Sequence, residues 1–126
     1  MKTLRKDTDI TYEDALARLP DLLKAEGFGV LTQIDVKETL KQKIGADFRK
    51  YKILGACNPS YAHKALGAEL GVGVMLPCNV VVYEAENGKA VVLGVDPLQT
   101  MAAADPRLEP IARQVRDGLA RAIEKV

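Results

Sequence analysis

Tryptophan is absent from this chain, and two phenylalanines and four tyrosines are its only aromatic residues. Rings this scarce provide no platform on which successive nucleobases stack. An excess of positive charge is missing too: 18 Lys and Arg stand against 17 Asp and Glu. No cationic field therefore exists to hold a phosphate backbone, and nucleic-acid binding is not expected. No stretch approaches the roughly 18 apolar residues of a membrane span, and Met1–Asp7 lacks the apolar core of a signal peptide. The expected address is the cytoplasm, with no membrane partner. There are two cysteines and one histidine, at spacings that match no zinc motif. In that compartment the cysteines are expected as reduced thiols.

Several catalytic signatures are missing. Gly71-Val72-Gly73 lacks a third glycine and runs into a strand-like segment, so a dinucleotide fingerprint is unsupported. No phosphate loop and no serine in a nucleophile elbow occurs. The acids Glu13, Asp14, Glu38, Glu109 and Glu124 fall at helix ends or on polar faces and form no acid/base pair.

What is present suits one soluble globular domain over residues 1–126, with 48% hydrophobic and 28% charged residues, long enough to bury a core unaided. The half-polar start, residues 1–6, reads as an edge strand. Thr11 caps a helix carrying Tyr12, Ala15, Leu16, Leu19, Leu22 and Leu23 at helical spacing, and Pro20 predicts a kink or break near Leu19. Gly27–Ile34 reads as a strand. Asp35 then caps a short amphipathic helix that Gly45 ends. Tyr51–Cys57 is the next strand. Asn58-Pro59 starts a helix to about Leu70, and Val72–Leu76 reads as another strand.

Val80–Tyr83 and Ala90–Val95 flank Asn87-Gly88, the strongest hairpin signal in the chain. A two-residue loop there sets Val82 opposite Leu93, Val80 opposite Val95 and Asn79 opposite Asp96. Asp96-Pro97 stops the strand, and Leu98–Ala104 forms one or two helical turns. A final helix starts at Pro106, capped by Asp105, with Leu108, Ile111, Val115, Leu119, Ala122 and Val126 in one stripe. The fold class expected is α/β, a two-layer sandwich with a mixed sheet of about five or six strands and packed helices. Val80–Tyr83 and Ala90–Leu93 are apolar on both faces, so helices or a second copy must cover the far side as well.

If Phe28–Ile34, Tyr51–Cys57 and Val72–Leu76 are joined by right-handed crossovers, they run parallel. Their carboxyl ends then gather Asp35, Cys57 and the Pro77-Cys78 turn at one edge, where open α/β sheets bind ligands. The candidate ligand site is Asp35, Cys57, Asn58, His63, Cys78, Asn79 and Asp96. Helix capping explains Asp35 and Asn58, turn chemistry explains Asn79 and Asp96, and apolar burial explains the cysteines. Against that, Cys57 beside a helix N-terminus, with Cys78 and His63, has the residue types of a thiol pair or soft-metal site.

The runs Tyr51-Lys-Ile-Leu-Gly-Ala-Cys-Asn-Pro59 and Leu76-Pro-Cys-Asn-Val-Val-Val-Tyr-Glu84 resemble domain of unknown function family 302, small bacterial and archaeal proteins. Ala25–Thr32 and Val95-Asp96-Pro97 resemble family segments as well. The resemblance implies a compact α/β domain assembling as a homodimer, without an established activity. It marks Cys57, Asn58, Pro59, Pro77, Cys78, Asn79 and Asp96 as signature positions without assigning any of them a role. Two functional expectations follow. One is a non-enzymatic cytoplasmic homodimer binding a small molecule or protein partner. The other is a thiol-redox or soft-metal protein using Cys57 and Cys78, with His63 assisting.

Overall fold

The computed structural model describes residues 1–126 as one five-stranded sheet with helices packed on one side. The strands are β1 (Leu4–Asp7), β2 (Gly29–Asp35), β3 (Tyr51–Cys57), β4 (Cys78–Glu84) and β5 (Ala90–Gly94), in spatial order β1-β5-β4-β3-β2. The helices are α1 (Tyr12–Ala25), α2 (Val36–Ile44), α3 (Pro59–Ala68), α4 (Met101–Ala104) and α5 (Glu109–Glu124). The α/β class, the layering and the strand number agree with the sequence.

Local chemistry sets the helix starts. The Thr11 hydroxyl accepts from the Asp14 amide at 3.1 Å, and Asp35 Oδ1 accepts from the Glu38 amide at 3.0 Å. Each supplies one of the acceptors that the first turn lacks. α1 runs unbroken through Pro20, so of the kink or break expected near Leu19 the break does not occur. Tyr12, Ala15, Leu19 and Leu23 are all buried, and their packing outweighs one lost backbone bond.

Three expectations fail for identifiable reasons. Every pairing in the sheet is antiparallel, so it is not mixed, and the expected crossovers from β2 to β3 and onward do not exist; the chain crosses the sheet only between β1 and β2, through α1. α2 buries none of its residues, so it does not pack on a face of the sheet as a crossover helix must. The chain turns instead, and β3 runs back beside β2.

Leu70–Met75 is a 3-10 helix rather than a strand. Only Val72 of this apolar run is buried, while Leu70 and Val74 project into solvent. Glu69 anchors its start by accepting from the Gly71 amide at 2.9 Å. The last helix is likewise preceded by a 3-10 turn at Pro106–Leu108, where Asp105 Oδ1 accepts from the Arg107 amide, and α5 proper begins at Glu109.

The β4–β5 hairpin is present but slipped by one residue: Val82 pairs with Val92 and Val80 with Gly94. The Ala85 amide donates to Lys89 O and the Gly88 amide to Ala85 O, closing a three-residue loop. Only Gly88 takes positive φ, +80°, whereas the two-residue turn needs it at Asn87 also.

That register sends Val80, Val82, Ala90 and Val92 to the helix side, with Leu54 and Ala56 of β3. They meet Leu19 and Leu23 of α1 and Val115, Leu119 and Ile123 of α5. Each fully buried Leu or Val there contributes about 2 kcal/mol. A smaller cluster of Ala65, Val72, Met101, Leu108 and Ala112 ties α3 and α4 to α5. The sheet edges are guarded differently. β1 is short and carries Arg5, Lys6 and Asp7, and β2 is bulged at Leu31, between Val30 and Thr32.

Candidate functional site

The seven residues singled out from sequence fall in four places. Antiparallel pairing puts Asp35 opposite Lys52 and Cys57 opposite Gly29, at opposite ends of β2 and β3. Asp35 thus caps α2 beside a wide, open polar hollow of about 410 Å³ lined by Lys37, Lys41, Asp47 and Phe48. It shares no crevice with the cysteines.

Cys57, Asn58 and Cys78 lie together at the junction of β3, β4 and α3. Cys78 pairs with Ala56, one residue before Cys57. Both thiols are free. Cys78 is 7% exposed, and burial, reinforced by Cys57 nearby, pushes its thiol up to about 11. It stays protonated at neutral pH, a poor nucleophile and a poor metal ligand.

The cavity beside the two cysteines, bounded also by Phe28, Tyr61 and Met101, holds about 20 Å³. That is room for one water and no substrate. Asn58 Oδ1 accepts from the Tyr61 amide at 3.5 Å, and its amide group lies against Gly27, where a Cβ would come within 2.9 Å of Nδ2. His63 is exposed on α3, and no three His, Cys, Asp or Glu side chains gather in a metal-binding set.

Asn79 sits on the face of the sheet that the helices leave open, and Asp96, facing Arg116 of α5, lies at the rim of that face. Three rows cross it. Asp7, Val91, Tyr83 and Tyr51 form the first, and Arg5, Leu93, Val81, Ile53 and Ile34 the second. Val95, Asn79, Gly55 and Thr32 form the third, joined by the Val95 amide donating to Asn79 O at 3.0 Å. Asn79 therefore faces Val95, one residue short of the expected Asp96, as the slipped hairpin requires. A Cβ at Gly55 would collide with Thr32 Oγ1 and, at 2.7 Å, with the Pro77 ring, so this row closes tightly at its β2 end.

At the other end of that row lies a groove of about 270 Å³, floored by Val81, Leu93 and Val95 and flanked by Asn79, Asp96 and Tyr51. Asp96 Oδ1 accepts from the Leu98 amide at 3.0 Å, and Oδ2 is 3.5 Å from Arg116 Nε.

The sequence reading missed an aromatic corner on this face. Tyr51 and Tyr83 stack with ring centroids 5.6 Å apart, Phe48 tilts against Tyr51 at 6.0 Å, and Arg49 stands 5.9 Å over the Tyr83 ring. Half of the chain's six aromatics gather here. The signal available was the alternation Tyr51-x-Ile53 and Val81-x-Tyr83, which puts rings and aliphatics on one face. Which strands adjoin lay outside it.

Residues 4–126 match DUF302, a domain of unknown function. The chain belongs to the DUF302 family. This DUF302 domain is also similar to the crystal structure of an uncharacterized conserved DUF302 protein from Bacillus stearothermophilus. The two share 37% sequence identity with a TM-score of 0.88, over 98% of this chain and 97% of that one. No curated protein matches it. No helix is long and apolar enough to cross a membrane.

Proposed function

We propose that this DUF302 domain is a non-enzymatic cytoplasmic homodimer that binds a small ligand or protein partner through the open face of its sheet. One observation carries the reading: Leu93, Val81, Ile53 and Ile34 form an unbroken apolar row on the side away from α1 and α5. Ile34 is 50% exposed, and α2, which adjoins β2 and β3, buries none of its residues. Sheets with two apolar faces are stable when both are covered.

At strand spacings of ~4.8 Å and same-face spacings of ~6.8 Å the three rows span roughly 500 Å², against roughly 800 Å² per partner in a standard interface. Phe48 and Arg49 on the rim extend the patch. Tyrosine and arginine are the side chains that most often anchor interfaces. The cytoplasm suits two cysteines left unbridged.

Native mass spectrometry and light scattering at micromolar concentration test this. The wild type is expected as a dimer, and Leu93→Asp as a monomer with unchanged helical circular dichroism. Tyr83→Ala, at a half-buried position, serves if Leu93→Asp misfolds. A wild type that stays monomeric across the micromolar range rejects the dimer.

A thiol reading stands second, because Cys57 and Cys78 border the same cavity. The protonated state of Cys78 weakens it. Non-reducing intact mass decides: a chain lighter by about two hydrogens, one disulfide, would move the cysteines ahead.

A further inference from the structure

Both signs of charge meet at one end of the outer-face groove. Leu4 pairs with Gly94, and beyond these strand ends Lys2 and Asp96 flank the same end of the groove. Both line the groove, yet they form no ion pair with each other. Lys2 is exposed and has no carboxylate partner, and the Asn79 side-chain amide, also exposed, has no hydrogen-bond partner.

Asp96 has one oxygen on the Leu98 amide and the other 3.5 Å from Arg116. A carboxylate offers about four acceptor positions, so it retains capacity for an incoming ammonium. Away from this charged end Val95, Leu93 and Val81 run toward Tyr51 as an aliphatic strip, with Thr3 and Thr100 also lining the groove. The volume, about 270 Å³, lies at the small end of ligand pockets.

A ligand matched to these features carries an ammonium and a carboxylate on one carbon and an apolar chain beyond them. We propose that the groove binds a free α-amino acid with an aliphatic side chain. The ammonium lies on Asp96, the carboxylate on Lys2, and the side chain lies along Val95, Leu93 and Val81, with the Asn79 amide completing the head-group contacts. A simple fatty acid lacks the group that Asp96 receives, and a simple amine lacks the one that Lys2 receives. The inference rests on the ligand-binding part of the reading above.

The test is isothermal titration of the full chain with L-leucine, and with isocaproic acid and isoamylamine, which each lack one charged group. Native mass spectrometry of the same samples reports whether the dimer forms. Leucine is expected to bind and the two analogues to bind at least about tenfold more weakly. Asp96→Asn, whose side-chain oxygen can still accept from Leu98, is expected to weaken leucine by about tenfold without altering the oligomeric state. Amide shifts in NMR confined to Val81, Leu93 and Val95 provide a second readout if that variant folds poorly.

No binding of leucine at millimolar concentration, or equal binding of isocaproic acid, overturns the proposal. If leucine binds a monomer, the ligand assignment stands and the dimer falls; a dimer that ignores leucine gives the reverse.

Discussion

The two faces of the sheet are built from the same residue types and end in different states. On the helix side, Leu54, Val80, Val82 and Val92 are almost completely buried under α1 and α5. On the other side, Ile53, Val81 and Leu93 are their immediate chain neighbours, yet they remain half-buried beside exposed Ile34. Apolar composition alone therefore does not say which face is the core. What distinguishes them is supply: both long amphipathic helices close on one side, and none is left for the other. The inner face is a finished product of folding. The outer face is apolar surface without a layer of its own, as an association surface is.

The contrast is sharpest at adjacent residues. Leu54→Ala, opening a cavity under α1 and α5, is expected to lower unfolding free energy by about 3 kcal/mol in urea titration. Ile53→Ala, one position away, is expected to cost about 1 kcal/mol or less when measured on monomer. Equal losses would mean that the two faces are packed alike and the distinction is false.

A second test uses the one helix that lies outside the main layer. Asp35→Ala removes the cap of α2 and is expected to cost about 1 kcal/mol. It should leave a ligand titration unchanged, because Asp35 is remote from the groove. Loss of binding in this variant would return Asp35 to the site.

An alkaline test concerns Cys78, on the inner face. Its folded thiol titrates at about 11, above the ordinary value of 9.0, so the unfolded chain releases this proton first as pH rises. Stability from this group is complete below pH 9 and falls between 9 and 11, with about 1 kcal/mol gone at pH 10. Cys78→Ala should flatten the alkaline fall in the urea midpoint, whereas Cys57→Ala should not. A Cys78 variant that loses stability as steeply as wild type would place the titrating group elsewhere.

Much of this fold was legible residue by residue. Thr11, Asp35 and Asn58 announce their helices through side chains that bond amides three positions on, a purely local matter. The edge role of β1 and the α5 stripe followed from polarity and period. The need for cover on a second face was readable from the two-sided strands of the hairpin. The 3-10 segment at Leu70–Met75 was misread because an apolar run this short has no decisive period, and its glycines fit turns as readily as strand ends.

The candidate site fared worse. Asn79 and Asp96 do adjoin one groove, and Cys57, Asn58 and Cys78 do adjoin one another, but these are separate places, with Asp35 and His63 in neither. The grouping assumed a strand direction, and reversing β3 against β2 moves Asp35 the length of the sheet. Likewise, one extra loop residue at Glu86-Asn87-Gly88 replaced Asp96 by Val95 opposite Asn79.

By itself the sequence determined where most helices and strands begin, which residues are apolar on both sides of a strand, and that the fold class is α/β. Caps, turns and periodicity act within a few residues, so the local chain carries them. Strand direction, hairpin register and the gathering of Phe48, Tyr51 and Tyr83 on the face that carries the Lys2–Asp96 groove belong to the tertiary structure alone. They depend on how far a connection reaches and on which distant surfaces bury each other, contacts that no short stretch of this chain encodes.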